Sequence, residues 1–254
     1  MEIGAENLTK SYGRQIVLNG LTFRVQEGSV LGLLGNNGAG KSTLIHLLTG
    51  IHQPDSGVLL IDGKSWLDAA QHDSLRRQIG VLPEQGQLNP ELTAAEQLRF
   101  TALLYGIDLS SNMDQVMAMA EYLFEDLSVL EKRCATFSTG MKKKLGLILA
   151  FLHKPRLVLL DEPFSGLDPG SARLVINFLN AYSRSDRVIV VSSHNLSYVE
   201  QVATHLAVLH ETEFRFFGTM DAFTSSGQSQ LESSLMQLLA PEEKSTDQLR
   251  RLLS

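Results

Sequence analysis

Short apolar runs recur along the chain, and turn residues separate most of them. Ile3–Thr9 and Ile16–Val25 come first, with a turn residue at Gly13 between them. Runs of this length and composition are typical of β-strands. The same pattern predicts later strands at Val30–Leu34, Val58–Asp62, Ile79–Leu82, Leu157–Leu160, Val188–Ser192, Leu206–Leu209 and Glu213–Phe217.

A second pattern predicts helices, most densely between about residues 84 and 154. In Met113–Leu130 the apolar residues recur three and four positions apart, as on one face of a helix. Further helices are predicted at Lys41–Leu48, Leu75–Gln78, Leu92–Leu104, Lys142–His153, Ser171–Tyr182 and Leu196–Ala203. Because helices separate the later strands, we expect an α/β fold with a mostly parallel sheet and N-terminal antiparallel strands. Residues 84–154 are then an inserted helical lobe.

The pattern changes again beyond Gly218, which divides the chain into a domain of residues 1–218 and a tail of residues 219–254. Thr224–Gln230 is polar and predicts a linker. Short helices are expected around Leu231–Leu239 and Thr246–Leu253, and they give no indication of function.

Composition narrows the class of protein. The chain has 254 residues, of which 43% are hydrophobic and 20% charged, as in ordinary globular proteins. A net charge of −6 argues against a nucleic-acid partner, because such binding depends on an excess of Lys and Arg. Cys134 is the one cysteine and indicates a reducing compartment. Without a signal-peptide pattern or a long apolar run, the chain is expected to be cytoplasmic.

The strongest chemical motif is LGLLGNNGAGKST, where an apolar strand runs into a glycine-rich loop and a helix begins at Lys41. It fits the phosphate-binding pattern G-x-x-x-x-G-K-[ST]. Glycines let backbone N–H groups point inward as an anion nest, and the helix start adds further donors. We expect the Lys41 cation at the phosphates and the Ser42 hydroxyl on Mg²⁺. The predicted nucleotide-binding set is Gly35, Asn36, Asn37, Gly38, Ala39, Gly40, Lys41, Ser42 and Thr43.

Two adjacent acids follow the apolar run Leu157–Leu160. Asp161 stands where a P-loop fold needs a carboxylate to hold Mg²⁺, directly or through water. Glu162 is placed to orient or deprotonate the water that attacks the γ-phosphate. A surface acidic pair is the alternative interpretation, but it leaves the position directly after a buried strand unexplained.

Four weaker features have both a structural and a functional interpretation. His194 follows a strand and is either a loop residue or a γ-phosphate contact. Ser138 and Gly140 open a helix, as an N-cap or as a phosphate-binding helix end. Lys142–Lys144 lie in the first turn of that helix, where the dipole prefers anions, so they form a solvated face or attract phosphate. Tyr12 is either a turn aromatic or a ring that faces a base.

In this order and spacing, the motifs resemble those of the ATP-binding subunit of an ABC transporter, from about Leu8 to Gly218. The resemblance implies a P-loop NTPase fold with a RecA-like sheet, ATP hydrolysis with Mg²⁺, and catalytic roles for Glu162 and His194. It matches Gly35–Ser42 with Walker A, Leu157–Asp161 with Walker B, Phe137–Met141 with the signature, Ser165–Asp168 with the D-loop and Tyr12 with the adenine-stacking aromatic.

The resemblance also implies partners. ATP is expected between the P-loop of one chain and Ser138 and Gly140 of a second ATPase subunit, either another copy or a paralogue. A separate integral-membrane permease of the export type would place the chain peripherally on the inner face of the cell membrane. The sequence departs from the family at Glu84, where a glutamine is usual, with Gln85 beside it. The Glu84 carboxylate is still expected to reach Mg²⁺ or its water. Which of these two residues acts stays open.

Two other classes are weighed against transport. A soluble ABC ATPase with a non-transport role, such as a cofactor-assembly factor, fits the same motifs. The absence of a long coiled coil and of a second cassette disfavours the chromosome and ribosome types. A P-loop kinase or GTPase leaves the region around Ser138 unexplained.

Overall fold

The computed structural model describes residues 1–85 and 88–224, together with Leu235. The predicted helices at Leu231–Leu239 and Thr246–Leu253 therefore lie outside the described residues, apart from Leu235. Within the described ranges no helix has both the length and the apolar character needed to cross a membrane.

Nine strands and eight α-helices follow one another along the described residues. The strands are β1 (Ile3–Tyr12), β2 (Gln15–Val25), β3 (Val30–Leu34), β4 (Ser56–Ile61), β5 (Ile79–Leu82), β6 (Leu157–Asp161), β7 (Val188–Ser192), β8 (His205–His210) and β9 (Glu213–Thr219). The helices are α1 (Lys41–Leu48), α2 (His72–Arg76), α3 (Ala94–Tyr105), α4 (Met113–Leu123), α5 (Thr139–Phe151), α6 (Pro169–Tyr182), α7 (Leu196–Glu200) and α8 (Met220–Phe223).

The main sheet has six strands in the order β5-β6-β7-β3-β8-β9. All neighbours pair in parallel except β8 and β9, which pair antiparallel. Parallel neighbours end at the same edge of the sheet, so the segments that follow β5, β6, β7 and β3 are brought together. A smaller antiparallel sheet, in the order β2-β1-β4, confirms the prediction for the N-terminal strands.

The central strands are buried on both faces because alternate side chains enter two different cores. In β6, Val158 and Leu160 pack with the helices of the lobe. Leu157 and Leu159 pack on the other side with α1 and the small antiparallel sheet. This arrangement explains why the strand is a continuous apolar run rather than an alternating one.

The inserted lobe contains α3, α4 and α5, as predicted, but its helix ends differ from the prediction. The helix expected over Met113–Leu130 ends at Leu123, where Phe124 is extended. Asp126 then accepts the backbone N–H of Ser128 and starts a separate 3-10 helix, Leu127–Glu131. Periodicity alone missed this break because the apolar spacing continues through it. Helix α7 is also shorter than predicted and ends at Glu200.

Candidate functional site

The glycine-rich loop joins β3 to α1 as the sequence predicts, and its last glycine enters the helix in a left-handed conformation. Gly40 has φ 105° and is the residue before the first turn of α1. A Cβ at this position would lie 2.8 Å from Leu18 Cδ2 and 2.9 Å from the Val17 carbonyl oxygen. The close approach of β2 and the positive φ together require glycine here.

Lys41 is buried at the start of α1, with 7% of its surface exposed. Its Nζ donates hydrogen bonds to the main-chain oxygens of Gly35, at 2.8 Å, and Asn36, at 3.2 Å. The ammonium group therefore lies inside the curl of its own loop. A buried cation held by neutral carbonyls is well suited to an anionic ligand.

A cavity of about 510 Å³ opens beside this loop. It collects residues that follow four adjacent parallel strands, because β7 lies between β6 and β3 and β5 lies beside β6. Its lining includes eleven of the predicted site residues: Tyr12, Asn37, Gly38, Gly40, Lys41, Ser42, Thr43, Glu84, Asp161, Glu162 and His194. Gly35, Asn36 and Ala39 belong to the loop but do not line the cavity.

Asp161 ends β6 and is 2% exposed. It is paired in register with Ser192 at the end of β7, and the Ser192 hydroxyl donates to its carboxylate. The same hydroxyl accepts the backbone N–H of Glu162 at 3.1 Å. Ser192 thus fixes both acids, a role that the sequence analysis did not assign to it.

Glu162 is the second buried acid, and His194 reaches it from the neighbouring strand end. Glu162 is 6% exposed and has φ 50°, an uncommon conformation for a residue other than glycine. The Nδ1 of His194 lies 2.9 Å from Glu162 Oε2. An ionised carboxylate only accepts hydrogen bonds, so Nδ1 is then the donor. The two residues predicted to be catalytic are therefore in direct contact.

Tyr12 lies at the rim of the cavity with 45% of its surface exposed. The rings of Tyr12 and His52 meet edge to face, with their centroids 5.7 Å apart. Lys10 Nζ is 5.7 Å from the Tyr12 ring centroid and forms an ion pair with Asp55 at 2.8 Å. His52 and Lys10 therefore contact one part of the Tyr12 ring, while another part of the ring faces solvent.

Glu84 is exposed at the cavity, and a buried lysine lies behind it. Lys143 Nζ donates to the main-chain oxygens of Glu84, at 3.1 Å, and Asp161, at 3.3 Å. Burial lowers the pKa of Lys143, while the carboxylates of Asp161, Glu84 and Glu162 oppose that change. Lys143 was predicted to belong to a solvated or phosphate-attracting face, and its burial shows that this prediction was wrong for Lys143. Only the distant partners explain its burial.

Ser138 and Gly140 line a different cavity, of about 720 Å³, between the lobe and the residues around Asp168. Ser138 caps α5, because its Oγ accepts the backbone N–H of Met141 at 3.2 Å. The predicted N-cap is therefore present. Within one chain these two residues are not brought to the cavity that contains Lys41 and Asp161.

Four residues around these cavities were not among the predicted site residues. Val17 lines the cavity of Lys41 without belonging to any motif, and Ser165, the first residue of the segment matched with the D-loop, lines it too. Ser192 and Lys143 act through contacts to residues far away in the chain. One local feature could have indicated the role of Ser192: it forms a polar pair with Ser193 at the end of an apolar strand.

The sequence model of the family described as "ABC transporter" matches residues 18–165. A second model, described as "AAA domain, putative AbiEii toxin, Type IV TA system", matches residues 133–200.

Curated relatives cover most of the chain. The linearmycin resistance ATP-binding protein LnrL of Bacillus subtilis is 31% identical over 85% of this chain and 68% of its own length. The bacitracin transport ATP-binding protein BcrA of Bacillus licheniformis is 35% identical over 82% of this chain and 67% of its own length. The lantibiotic transport ATP-binding protein SrtF of Streptococcus pyogenes is 32% identical over 81% and 86%.

Solved structures show the same fold. The ATP-binding subunit of an ABC transporter superposes with a TM-score of 0.85 at 31% identity, covering 94% of this chain and 99% of the other. A dimeric ATP-binding cassette bound to ADP and Pi superposes with a TM-score of 0.78 at 20% identity, covering 86% and 98%. The predicted P-loop fold and the predicted family are thus confirmed, and the chain belongs to the ABC transporter family as an ATP-binding ATPase subunit.

Proposed function

We propose that this chain binds and hydrolyses ATP to power a separate export-type membrane permease. The observation that supports this most directly is the cavity in which Lys41, Asp161, Glu162 and His194 converge. It combines a buried cation for phosphate with two buried acids and an imidazole at the same sheet edge. Those groups are what hydrolysis of a phosphoanhydride requires.

Each group has a distinct proposed role. The backbone N–H groups of residues 35–43 and the Lys41 ammonium group hold the phosphates, and Tyr12 stacks on the adenine. Glu162 accepts a proton from the water that attacks the γ-phosphate. His194 contacts the γ-phosphate, and in its protonated form it has one N–H for Glu162 and one for the phosphate.

The donor set also fits Mg²⁺. Ser42, Asp161 and Glu84 offer hydroxyl and carboxylate oxygens to one cavity, and Mg²⁺ prefers such hard ligands. No cluster of three or more His, Cys, Asp or Glu side chains that would hold a metal occurs among the described residues. An ion held by one or two protein oxygens, water and substrate phosphates needs no such cluster. When bound, Mg²⁺ would neutralise charge that develops on the phosphates.

The second half of the site is proposed to come from another ATPase subunit, a second copy or a paralogue. Ser138 and Gly140 are at a helix start, and they line a separate cavity in their own chain. The start of α5 carries donors and a positive dipole end that suit a γ-phosphate. A related cassette of the same fold has been solved as a dimer with ADP and Pi, which supports this arrangement.

The names of the relatives support a transport role. LnrL is a resistance ATP-binding protein, and BcrA and SrtF are transport ATP-binding proteins for bacitracin and lantibiotics. We therefore propose a permease partner that holds this subunit peripherally on the inner face of the membrane. Co-purification from detergent-solubilised membranes tests it: a polytopic membrane partner supports transport, and a partner without membrane spans contradicts it.

Glu162→Gln tests the proposed hydrolysis. The amide cannot accept the proton, so we expect ATP turnover to fall by about 100-fold or more while ATP binding persists. The trapped ATP should hold two subunits together, which light scattering at saturating ATP and Mg²⁺ measures.

Glu211→Gln is the matched control. Glu211 is an exposed glutamate that also has a left-handed φ, of 47°, so this variant tests the same substitution outside the cavity. Unchanged turnover in Glu162→Gln, or a monomer at saturating ATP and Mg²⁺, would contradict the proposal.

A further inference from the structure

Lys143 connects three separate parts of the molecule through one buried ammonium group. It is the fifth residue of α5, which begins at Thr139 rather than at the predicted Lys142, and it is 6% exposed. Its Nζ donates to the oxygen of Glu84, beyond the end of β5, and to the oxygen of Asp161, at the end of β6. These partners are 59 and 18 residues away in sequence.

A lysine in this position needs a reason. Burial removes the charge of a lysine from water, which is unfavourable unless other groups compensate for it. A residue that served packing alone would be apolar, as the neighbouring Leu145 is. The compensation for Lys143 comes from two main-chain carbonyls and from the negative charge of the acids in the cavity.

Both carbonyls belong to residues proposed to supply oxygen to Mg²⁺. Glu84 and Asp161 line the same cavity but lie on different strand connections. A side chain that donates to both backbones sets the separation between them. Because Lys143 also belongs to the inserted lobe, it links that separation to the position of the lobe.

We propose that Lys143 is a positioning residue for ATP hydrolysis, which holds the backbone of Glu84 and Asp161 together and ties both to the helical lobe. This inference rests on the proposed function. Lys143 does not touch nucleotide itself. It acts on the two residues whose oxygens would bind Mg²⁺, so its loss should affect the Mg²⁺-dependent part of binding and the rate more than nucleotide affinity as such.

Lys143→Met tests the inference, because methionine keeps most of the side-chain volume and removes the donors and the charge. A misplacement of about 1 Å can cost about 100-fold in rate, so we expect kcat to fall by about 10- to 100-fold. The affinity for ATP without Mg²⁺, measured by equilibrium binding, should stay within about 3-fold of the parent. The gain in affinity on adding Mg²⁺ should be lost. Lys143→Arg keeps the charge and the donors, so it should keep part of the kcat and part of the gain in affinity on adding Mg²⁺.

Lys154→Met is the matched control, because Lys154 is an exposed lysine just beyond α5. It should behave as the parent protein in both measurements. If circular dichroism shows that Lys143→Met does not fold, Lys143→Gln is used, because its amide keeps two N–H donors and removes only the charge and some length.

The possible results separate the inference from the proposed function. If folded Lys143→Met has the kcat of the parent protein and the same gain in ATP affinity on adding Mg²⁺, the inference is overturned. The proposed function still holds in that case, because the parent protein hydrolyses ATP. An equal loss of affinity with and without Mg²⁺ also overturns it, because that indicates a general structural role. A parent protein that hydrolyses no ATP contradicts the proposed function itself.

Discussion

Two buried lysines, one at the start of α1 and one five residues into α5, differ in where their hydrogen-bond partners come from. Lys41 is 7% exposed and Lys143 is 6% exposed, and each donates to two main-chain carbonyls. The partners of Lys41 are five and six residues away in its own loop. Those of Lys143 are 18 and 59 residues away.

This difference in sequence separation explains why one lysine belongs to a recognisable motif and the contacts of the other cannot be read from the sequence. The surroundings of Lys41 are written into consecutive residues, so the spacing of glycines identifies it as a phosphate-binding lysine. The surroundings of Lys143 exist only after β5, β6 and the lobe have packed. Local chemistry around Lys143 indicated a solvated or anion-attracting residue, and that interpretation was wrong for this one of the three lysines.

Removing Lys41, the lysine whose partners lie in its own loop, should have the largest effect. In Lys41→Ala the phosphates lose a buried cationic donor, which costs about 2–5 kcal/mol, or about 30-fold or more in ATP affinity. Equilibrium ATP binding and turnover measure it, with Lys154→Ala as the exposed control. Unchanged affinity and turnover in Lys41→Ala would refute the whole interpretation of the cavity.

The loop that holds Lys41 offers a second test, through two glycines with different surroundings. Gly40 and Gly38 have φ of 105° and 81°, so a side chain is strained at either, by about 1–2 kcal/mol. A Cβ at Gly40 also meets Leu18 and Val17, whereas one at Gly38 meets nothing within 4 Å.

Gly40→Ala should therefore lower the free energy of unfolding by about 1–3 kcal/mol more than Gly38→Ala does. Denaturant unfolding compares the two variants. Equal losses in both variants would show that the loop can move away from β2. The close approach of β2 would then not be what requires glycine at position 40.

The smallest effect concerns the start of α5, the helix that carries Lys143. Ser138→Ala removes the N-cap and should cost about 1 kcal/mol of unfolding free energy, whereas Ser138→Gly should cost only a few tenths. Both remove the hydroxyl, so turnover should fall equally in the two variants if Ser138 contacts phosphate from the second subunit. If turnover instead falls more in Ser138→Ala than in Ser138→Gly, as stability does, Ser138 serves only as a cap.

Much of the fold follows from local patterns. The strands of the main sheet and the helical lobe lie where apolar runs and periodicity predict them, because central parallel strands must be apolar on both faces. Helix ends were less well predicted. The cap at Asp126 divides an apolar stripe that runs on without a break, so periodicity extended that helix to Leu130.

The sequence by itself determined the P-loop and the acids at the end of β6, because each depends on residues that are adjacent in the chain, and it determined the family through the order and spacing of such motifs. Tertiary structure alone decided the rest. The strand order brings His194 to Glu162 and Ser192 to Asp161, and the packing of the lobe brings Lys143 to Glu84. The physical reason is that a buried charge is stabilised by whatever surrounds it in space, and neighbours in space need not be neighbours in sequence.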